Sequence, residues 1–399
     1  MDESGRAGRW WIVATIGAGV VAVCYGFARY AYGLFAPQIG ADVGLSAGGV
    51  GVLAGLSTAG YAVGLLVAPR VAARSPRAAT LLAGLLAAGG LAVMAVSSSV
   101  VVLAAGLVVA GSSAGMVSPA VAQLIVDRVA PGARVPAQTW ANSGTSLGLA
   151  ASAFTPALAA GWHLVWLGFA AVAVAMTLVA ARVVRAARTA SSAPEPAADV
   201  VVETRSRPAG LTALLVNSAL IGLTSAPYWT FSSTRVTEAG LGSTAATWCW
   251  FAIGIVGPVG GLAGAASERF GLRATNLAVW TLWAASFAVL ALPGLGLAAA
   301  LGSAAAFGLA YMALTGLCIV WGARLFPQRP AHGVMVSFFA LGIGQTIGSP
   351  LAGVLADGIG LAGVFAVTAA VSLVAWTQLR PSLAPVEPAV VDEPELVTR

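Results

Sequence analysis

Arg29 is a charged residue in the middle of a long apolar stretch, and its neighbours could form a binding site for an anion. It lies eight residues before Pro37, a rise of about 12 Å along a helix at about 1.5 Å per residue. An arginine at the centre of a membrane helix costs about 2.5–3.5 kcal/mol, so it needs compensation from the protein. Tyr25 and Tyr32 share its helical face at spacings of four and three. A guanidinium between two phenols can bind a carboxylate through two hydrogen bonds.

A structural role for Arg29 is the alternative. Its side chain could extend to the outer lipid headgroups, as long basic side chains near helix ends do. It could also pair with Asp42 or Asp357 and act as a latch between helices. Both readings explain why a charge is tolerated in this stretch.

A second helical face carries the same spacing. Thr224, Tyr228 and Phe231 follow one another at intervals of four and three, and Pro227 weakens the backbone hydrogen bonds beside them. This face could form the opposite wall of a site and move as a gate. It could equally belong to an aromatic belt at the membrane interface, which is the role we assign to Trp229. The further polar candidates for substrate contact, each of which could instead join packed helices, are Asn142, Tyr311 and Gln345.

Several other chemistries have no residues to support them in this sequence. All twenty basic residues are arginines, so a phosphate-binding loop that depends on lysine is excluded. The three cysteines stand singly, the two histidines are far apart, and neither a zinc site nor another cofactor site is indicated. All fourteen carboxylates fall in tails, loops or helix ends. We therefore expect a protein without cofactor or enzymatic activity, and the absence of a mid-membrane acid favours a neutral or anionic ligand over a cation.

The elements that must position these residues are membrane-spanning helices. Apolar residues make up 59% of the chain, charged residues 9%, and the mean hydropathy is +0.90. A span needs about 20 apolar residues. Twelve runs qualify: roughly 11–36, 47–69, 78–97, 100–126, 136–160, 163–184, 209–233, 244–266, 274–293, 295–323, 333–356 and 360–379.

Arginine clusters occur on every second connection between these runs. Because basic loops stay on the cytoplasmic side, the pattern predicts a multi-pass protein of the plasma (inner) membrane with both termini in the cytoplasm. The net charge of +6 then reflects orientation and gives no reason to expect nucleic-acid binding.

The chain is also internally repeated. Tyr32 and Phe35 recur as Tyr228 and Phe231, an offset of 196 residues. Six spans followed by six of the same orientation form two pseudo-symmetric bundles, joined by a segment rich in alanine, serine and proline. The predicted divisions are a cytoplasmic tail (1–10), a first bundle (11–185), a cytoplasmic linker (186–208), a second bundle (209–380) and a disordered cytoplasmic tail (381–399).

Two loops and two short stretches carry a family resemblance. The loop from Gly264 to Arg273 resembles the signature loop of the major facilitator superfamily, with Glu268 in place of aspartate, and the loop at 69–77 is a degenerate copy. The stretch 25–37 and the residues 142–145 are similar to a YbfB/YjiJ-type branch. The resemblance implies an all-α fold of twelve transmembrane helices in two six-helix bundles, and transport by alternating access about a site near the mid-membrane.

The same resemblance implies that helices 2, 5, 8 and 11 lie between the two bundles. Pairs of glycines four residues apart in these helices fit that role: 51 and 55, 60 and 64, 144 and 148, 257 and 261, 344 and 348. On the cytoplasmic side, charge pairs should close a gate, with Asp127 meeting Arg74 or Arg77 and Glu268 meeting Arg324. The full set predicted for this gate is Arg74, Arg77, Asp127, Glu268, Arg269, Arg273 and Arg324.

These patterns predict a secondary active or facilitative transporter that moves a small organic solute, preferably anionic or amphipathic. An exporter of apolar toxic compounds is the first alternative. A non-transporting membrane sensor or accessory subunit is the second. The expected partners are a small-molecule substrate and the lipid bilayer, with or without a coupling ion, and the protein is expected to be a monomer.

Overall fold

The chain folds into a helical bundle in the computed structural model, which describes residues 10–157, 161–186 and 208–378. Within these residues there are twelve long helices and no strand. The first six are α1 (Trp10–Val43), α2 (Ala47–Arg74), α3 (Pro76–Ala95), α4 (Val100–Arg128), α5 (Arg134–Ala153) and α6 (Trp162–Ala186). They confirm the predicted fold class for the first half. The predicted tails, and the predicted linker almost entirely, lie outside the described residues.

The second half repeats this arrangement. It contains α7 (Leu211–Val236), α8 (Gly242–Val256, Gly257–Leu262 and Ala263–Phe270 in succession), α9 (Leu272–Leu290) and α10 (Leu297–Leu325). The last helical run, Pro330–Gln378, is broken at Gly360 into α11 (330–359) and α12 (361–378). Gly360 (φ 71°) and Gly240, between α7 and α8 (φ 81°), take a left-handed conformation that residues with a side chain rarely adopt.

Eight helical runs are long and apolar enough to cross a membrane. One of them contains α7 and α8, and another contains α11 and α12. They account for ten of the twelve helices. The other two, α5 and α9, are long enough but carry more polar residues, and they pack against the rest of the bundle. The chain is therefore an integral, multi-pass membrane protein.

Glycines bring helices together mainly inside each half. A Cβ atom on Gly60 of α2 would lie 2.1 Å from the Val108 carbonyl oxygen of α4, and one on Gly344 of α11 would lie 2.1 Å from the Ala219 carbonyl oxygen of α7. The same holds for Gly144 and Gly148 against α1, whereas no neighbour lies within 4 Å of a Cβ on Gly261. Our assignment of Gly60, Gly144, Gly148 and Gly344 to the interface between the halves was therefore wrong, because the backbones that approach them belong to the same half.

The pair in the first turns of α2 does lie between the halves. Gly51 and Gly55 face the Ser349 carbonyl oxygen and Pro350 of α11 at distances that leave no room for a side chain. Nearby, the carboxylate of Asp357 accepts hydrogen bonds from the backbone N–H groups of Ala47 (3.0 Å) and Gly48 (2.9 Å). Asp357 of the second half thus caps the first turn of α2 in the first half. We call this side of the bundle the arginine-poor end. The opposite, arginine-rich end carries the loops at 70–77, 128–134, 269–273 and 324–329.

Candidate functional site: a buried arginine between the halves

Arg29 lies between the two halves, in a part of α1 that departs from regular α-helix. The segment Ala22–Tyr30 is π-helical, a widened turn that often occurs at functional sites. The Arg29 side chain is only 6% exposed. Its guanidinium carbon lies 3.7 Å from the ring centre of Tyr61, 5.1 Å from that of Tyr30 and 5.6 Å from that of Tyr25. Aromatic faces stabilise a desolvated cation by about 2 kcal/mol, so these rings offset part of the cost of burial.

The polar partner of Arg29 is an amide from the other half. The Arg29 Nη2 donates a hydrogen bond to Gln345 Oε1 of α11 at 2.5 Å, and Gln345 Nε2 donates to Ser225 Oγ of α7 at 3.0 Å. The Arg29 Nε is buried and has no hydrogen-bond partner among the described residues. Among the described residues no carboxylate pairs with this arginine. The guanidinium therefore has an amide and no carboxylate among its polar neighbours within the described chain, and its Nε is free to donate.

The predicted pairing of Arg29 with Asp42 or Asp357 and its extension to the lipid headgroups were wrong. Asp42 instead accepts a hydrogen bond from Trp162 Nε1 at 2.6 Å, and Asp357 caps α2. The deep burial of Arg29 also excludes an extension to the headgroups. Neither acid is free to neutralise the guanidinium.

An aromatic stack joins the halves beside Arg29. The rings of Tyr30 and Trp229 lie 4.2 Å apart at an angle of 25°, and the hydroxyls of Tyr30 and Tyr311 are 3.0 Å apart. Trp229 is only 7% exposed, and its Nε1 donor has no hydrogen-bond partner within the described chain. Our assignment of Trp229 to an interfacial belt was wrong, because the ring fills space between α1, α7 and α10.

Four predicted residues gather here as expected. Tyr25, Gln345 and Tyr311 all lie around Arg29 or its aromatic neighbours. Tyr32 lies on the same side of α1, although its hydroxyl donates to the Val50 carbonyl oxygen of α2 at 3.1 Å. Tyr25 forms a further hydroxyl contact with Ser118 of α4 at 3.0 Å.

Four others are placed elsewhere. Tyr228 stacks on Phe307 at 3.8 Å and shares a hydrogen bond with Ser303 inside the second half. Thr224 accepts a hydrogen bond from Trp283, and Phe231 is buried in the hydrophobic core. Asn142 is exposed on α5, where it accepts a hydrogen bond from Gln138. The structure does not bring these four residues, Thr224, Tyr228, Phe231 and Asn142, to Arg29, so we leave them out of the candidate site as a correction to the sequence-based set.

Sequence reasoning missed Tyr30, Tyr61 and Trp229. Tyr30 is the residue next to Arg29, so the spacings of four and three that selected Tyr25 and Tyr32 do not select it. The two side chains nevertheless meet in the π-helical segment Ala22–Tyr30. Tyr61 is a single aromatic residue in a helix rich in glycine and alanine. Nothing in the sequence ties it to Arg29.

A small chamber adjoins Arg29 on the side of the arginine-poor end. Its volume is about 30 Å³, which is room for a water molecule or two and not for an organic compound. Helices α1, α2, α7 and α11 all contribute to its wall. The lining residues are Arg29, Tyr30, Tyr32, Gly33, Ala54, Ser57, Thr58, Ala226, Trp229, Thr230, Gln345 and Ser349.

The predicted gate residues stand at the arginine-rich end without forming ion pairs in the described part of the chain. Asp127 and Glu268 are both exposed. Arg269 lies over the ring of Phe270 at 5.4 Å. In this conformation the described residues join the halves by polar contacts at the arginine-poor end and form no ion pair at the other. The gate stays a prediction.

The remaining buried arginine has a structural role. Arg235 donates to the carbonyl oxygens of Leu290 (2.9 Å) and Leu292 (2.7 Å) at the end of α9. A cation at a helix C-terminus satisfies carbonyls that have no partner in the helix. Among the described residues, Arg29 and Arg235 are the buried charged side chains, and Arg29 is the one that lies between the halves.

Comparisons with known proteins agree with this architecture. Residues 21–379 match a family described as "Uncharacterised MFS-type transporter YbfB". A point mutant of the nucleoside transporter NupG is similar in structure (TM-score 0.74, 12% identity, covering 93% of this chain and 98% of that one). So is a bacterial homolog of the human lysosomal transporter Spinster, inward-facing and unoccupied (TM-score 0.71, 16% identity, covering 96% of each chain). At these identities the two structures show the fold alone. No protein of curated function matches the sequence.

Proposed function

This chain belongs to the YbfB-type transporters of the major facilitator superfamily, and on that premise we propose that it moves a small organic anion across the membrane by alternating access. The observation that carries the proposal is the Arg29 guanidinium, buried between the halves with no acid beside it in the described part of the chain. A buried charge without a counter-ion is costly to keep. A negatively charged substrate would supply the missing partner.

The donor geometry of Arg29 fits a carboxylate. Arginine can present Nε and one terminal nitrogen as two parallel donors to the two oxygens of a carboxylate. Here Nη2 is occupied by Gln345 and Nε is free. A substrate carboxylate that displaces the Gln345 amide oxygen can take both positions, and it gains a charge-assisted contact in place of a neutral one.

Displacement of Gln345 would also connect binding to movement. The Arg29–Gln345 hydrogen bond crosses from α1 to α11 and so joins the halves. When the substrate replaces it, one of the contacts that favour this conformation is lost. Since the chamber is too small for an organic compound, the halves must move apart before a substrate enters from the arginine-poor end.

The orientation follows from the arginine distribution. We place the arginine-rich end, both termini and the linker at 186–208 on the cytoplasmic side of the plasma (inner) membrane. Asp127, Glu268 and their arginine neighbours would then pair when the cytoplasmic side closes. We propose that the transporter is a monomer and that transport is either coupled to an ion or facilitative.

The site argues against the first alternative, an exporter of apolar compounds. Among the described residues, the chamber wall includes no valine, leucine, isoleucine, methionine or phenylalanine. Pockets for apolar ligands are lined mainly by such side chains. A non-transporting sensor would have the same binding site but would not carry the ligand across the membrane.

A ligand screen followed by a flux measurement tests the proposal. The purified protein should be stabilised against heating by organic carboxylates and not by hydrophobic cations or apolar drugs. The best carboxylate should then enter proteoliposomes that contain the protein and not protein-free liposomes. Binding without flux would support the sensor, and stabilisation by cations alone would defeat the anion proposal.

A further inference from the structure

We propose that the substrate is a hydroxylated carboxylate, such as a hydroxy acid or sugar acid, and not a simple fatty or aromatic acid. This inference rests on the proposed function, because it takes Arg29 as the carboxylate-binding group. It adds a second recognition element, the hydroxyl-rich wall of the chamber next to Arg29.

Hydroxyl groups dominate that wall. Six of the twelve lining residues carry one, and they come from four helices in both halves: Tyr30, Tyr32, Ser57, Thr58, Thr230 and Ser349. The remaining neutral residues are glycine, alanine, glutamine and tryptophan. Such a wall can donate to and accept from a substrate's hydroxyl groups, whereas a bare hydrocarbon chain would leave buried polar groups unpaired.

Two of these hydroxyls have hydrogen-bonding capacity to spare. Serine and threonine in helices usually donate to a carbonyl three or four residues earlier, as Thr58 does to Gly55 at 2.9 Å. Ser57 is 3% exposed and its hydroxyl has no partner in the structure. Ser349 is 2% exposed. Within the described residues its hydroxyl takes part in one hydrogen bond, a long one of 3.4 Å that it accepts from the Thr230 hydroxyl.

These two serines stand on opposite halves. Ser57 belongs to α2 and Ser349 to α11, and both line the chamber that Arg29 adjoins. Trp229, on the same wall, adds a buried Nε1 donor without a partner. Buried polar groups are nearly always paired, so three unpaired or weakly paired groups around one chamber indicate a ligand with several polar groups of its own.

The aromatic rings of Trp229 and Tyr30 supply carbon surface to the recognition of such a ligand. The two rings stack at 4.2 Å with an angle of 25° between them, and both residues line the chamber beside its polar groups. A polyhydroxylated chain has C–H bonds between its hydroxyls that can lie against aromatic carbon. Purely apolar recognition would need more hydrocarbon than this wall offers.

Three ligands of similar length separate the two recognition elements. Gluconate carries a carboxylate and hydroxyls, hexanoate carries only the carboxylate, and sorbitol carries only hydroxyls. Binding is measured calorimetrically on the purified full-length protein. We expect gluconate to bind at least about tenfold more tightly than either of the others, since each buried hydrogen bond left unmade costs about a factor of ten.

Serine variants locate the effect. Ser57→Ala and Ser349→Ala should each weaken gluconate binding by about tenfold and leave hexanoate binding unchanged. Ser112→Ala is the control, because the Ser112 hydroxyl donates to Val109 of its own helix at 2.7 Å and lies outside the chamber. Melting temperatures of all variants establish that they are folded.

The outcomes distinguish this inference from the proposed function. Equal affinity for hexanoate and gluconate overturns hydroxyl recognition while the anion proposal survives. Equal affinity for sorbitol and gluconate overturns the anion proposal while hydroxyl recognition survives. Failure of all three to bind, or serine variants with parental gluconate affinity, also overturns the inference.

Discussion

The guanidinium of Arg29 and the amide of Gln345 are joined by a 2.5 Å hydrogen bond between residues 316 positions apart in the chain. The bond connects α1 of the first half to α11 of the second at the level of the chamber. Gln345 is itself held by Ser225 of α7. The amide oxygen therefore occupies the place that we assign to one oxygen of the substrate carboxylate.

A carboxylate built into position 345 should imitate bound substrate. In Gln345→Glu, the new side chain can take both the free Nε and the Nη2 of Arg29. We expect a higher melting temperature and at least about a tenfold loss of anion transport, because the new pair is stronger and must be displaced. Uptake into proteoliposomes and thermal unfolding measure the two effects.

Gln138→Glu is the matched control, since Gln138 lies on α5 and, among the described residues, its side chain hydrogen-bonds to Asn142, away from Arg29. That variant should transport at the parental rate. Parental transport by Gln345→Glu would show that the substrate does not compete for this position.

Asp357 should hold the arginine-poor end closed. Its carboxylate accepts two backbone N–H bonds from the first turn of α2 in the other half, and a bond to a charged group contributes about 1.5–3 kcal/mol. We expect Asp357→Ala to favour opening at this end, with about a tenfold faster reaction of a cysteine at Ser349 with a water-soluble thiol reagent.

Asp42→Asn provides the comparison at the same end. Asp42 bonds to Trp162 within the first half, so its loss should not change the labelling rate at position 349. If Asp357→Ala and Asp42→Asn label alike, the cap on α2 is only a local helix cap.

The fold followed from the sequence because hydropathy and the internal repeat can be recognised without knowing which helices pack together. The apolar runs set the helices, the offset of 196 residues revealed the repeat, and the cost of a buried charge drew attention to Arg29. The hydrogen-bond partner of Arg29, Gln345, could not be identified from the sequence. A π-helical turn changes which residues share a face with Arg29, and hydropathy cannot tell which Gln or Tyr of a distant helix will meet it.

The same limit explains the errors. Tyr228 and Phe231 repeat the spacing of Tyr32 and Phe35, yet their side chains pack inside the second half. Spacing along one helix shows which residues share a face. It does not show whether that face meets the other half or the core of its own.

The membrane orientation can be tested with single cysteines. Cysteines at Ser98 and Ser243, both exposed at the arginine-poor end, should react in intact cells with a reagent that does not cross membranes. Position 243 is preferred to Gly242, whose φ of 79° a cysteine would rarely adopt.

A cysteine at Ser192 should not react until the cells are opened. The three native cysteines are buried and give little background. Labelling of position 192 from outside would reverse the proposed orientation.

The charged residues at the arginine-rich end should act only when that end closes. Glu268 forms no ion pair within the described chain here, and an exposed pair with Arg324 would be worth about 1 kcal/mol. Glu268→Gln should therefore raise the cytoplasmic labelling rate of a cysteine at Thr315 several-fold, and Glu238→Gln, at the other end, should not. Equal rates would reduce Glu268 and its arginine neighbours to orientation signals.

The most direct measurement of the central claim is the affinity of the best carboxylate ligand for Arg29 variants. Arg29→Gln should lose at least about a hundredfold in affinity, since removal of one partner of a buried charge pair costs about 2–5 kcal/mol. Arg29→Lys should lose less, because it keeps the charge and loses the second parallel donor. Arg235→Gln, the other buried arginine, should lower the melting temperature through loss of its bonds to α9 and leave the affinity unchanged. Parental affinity in Arg29→Gln, or a best ligand that proves to be a cation, would contradict the account.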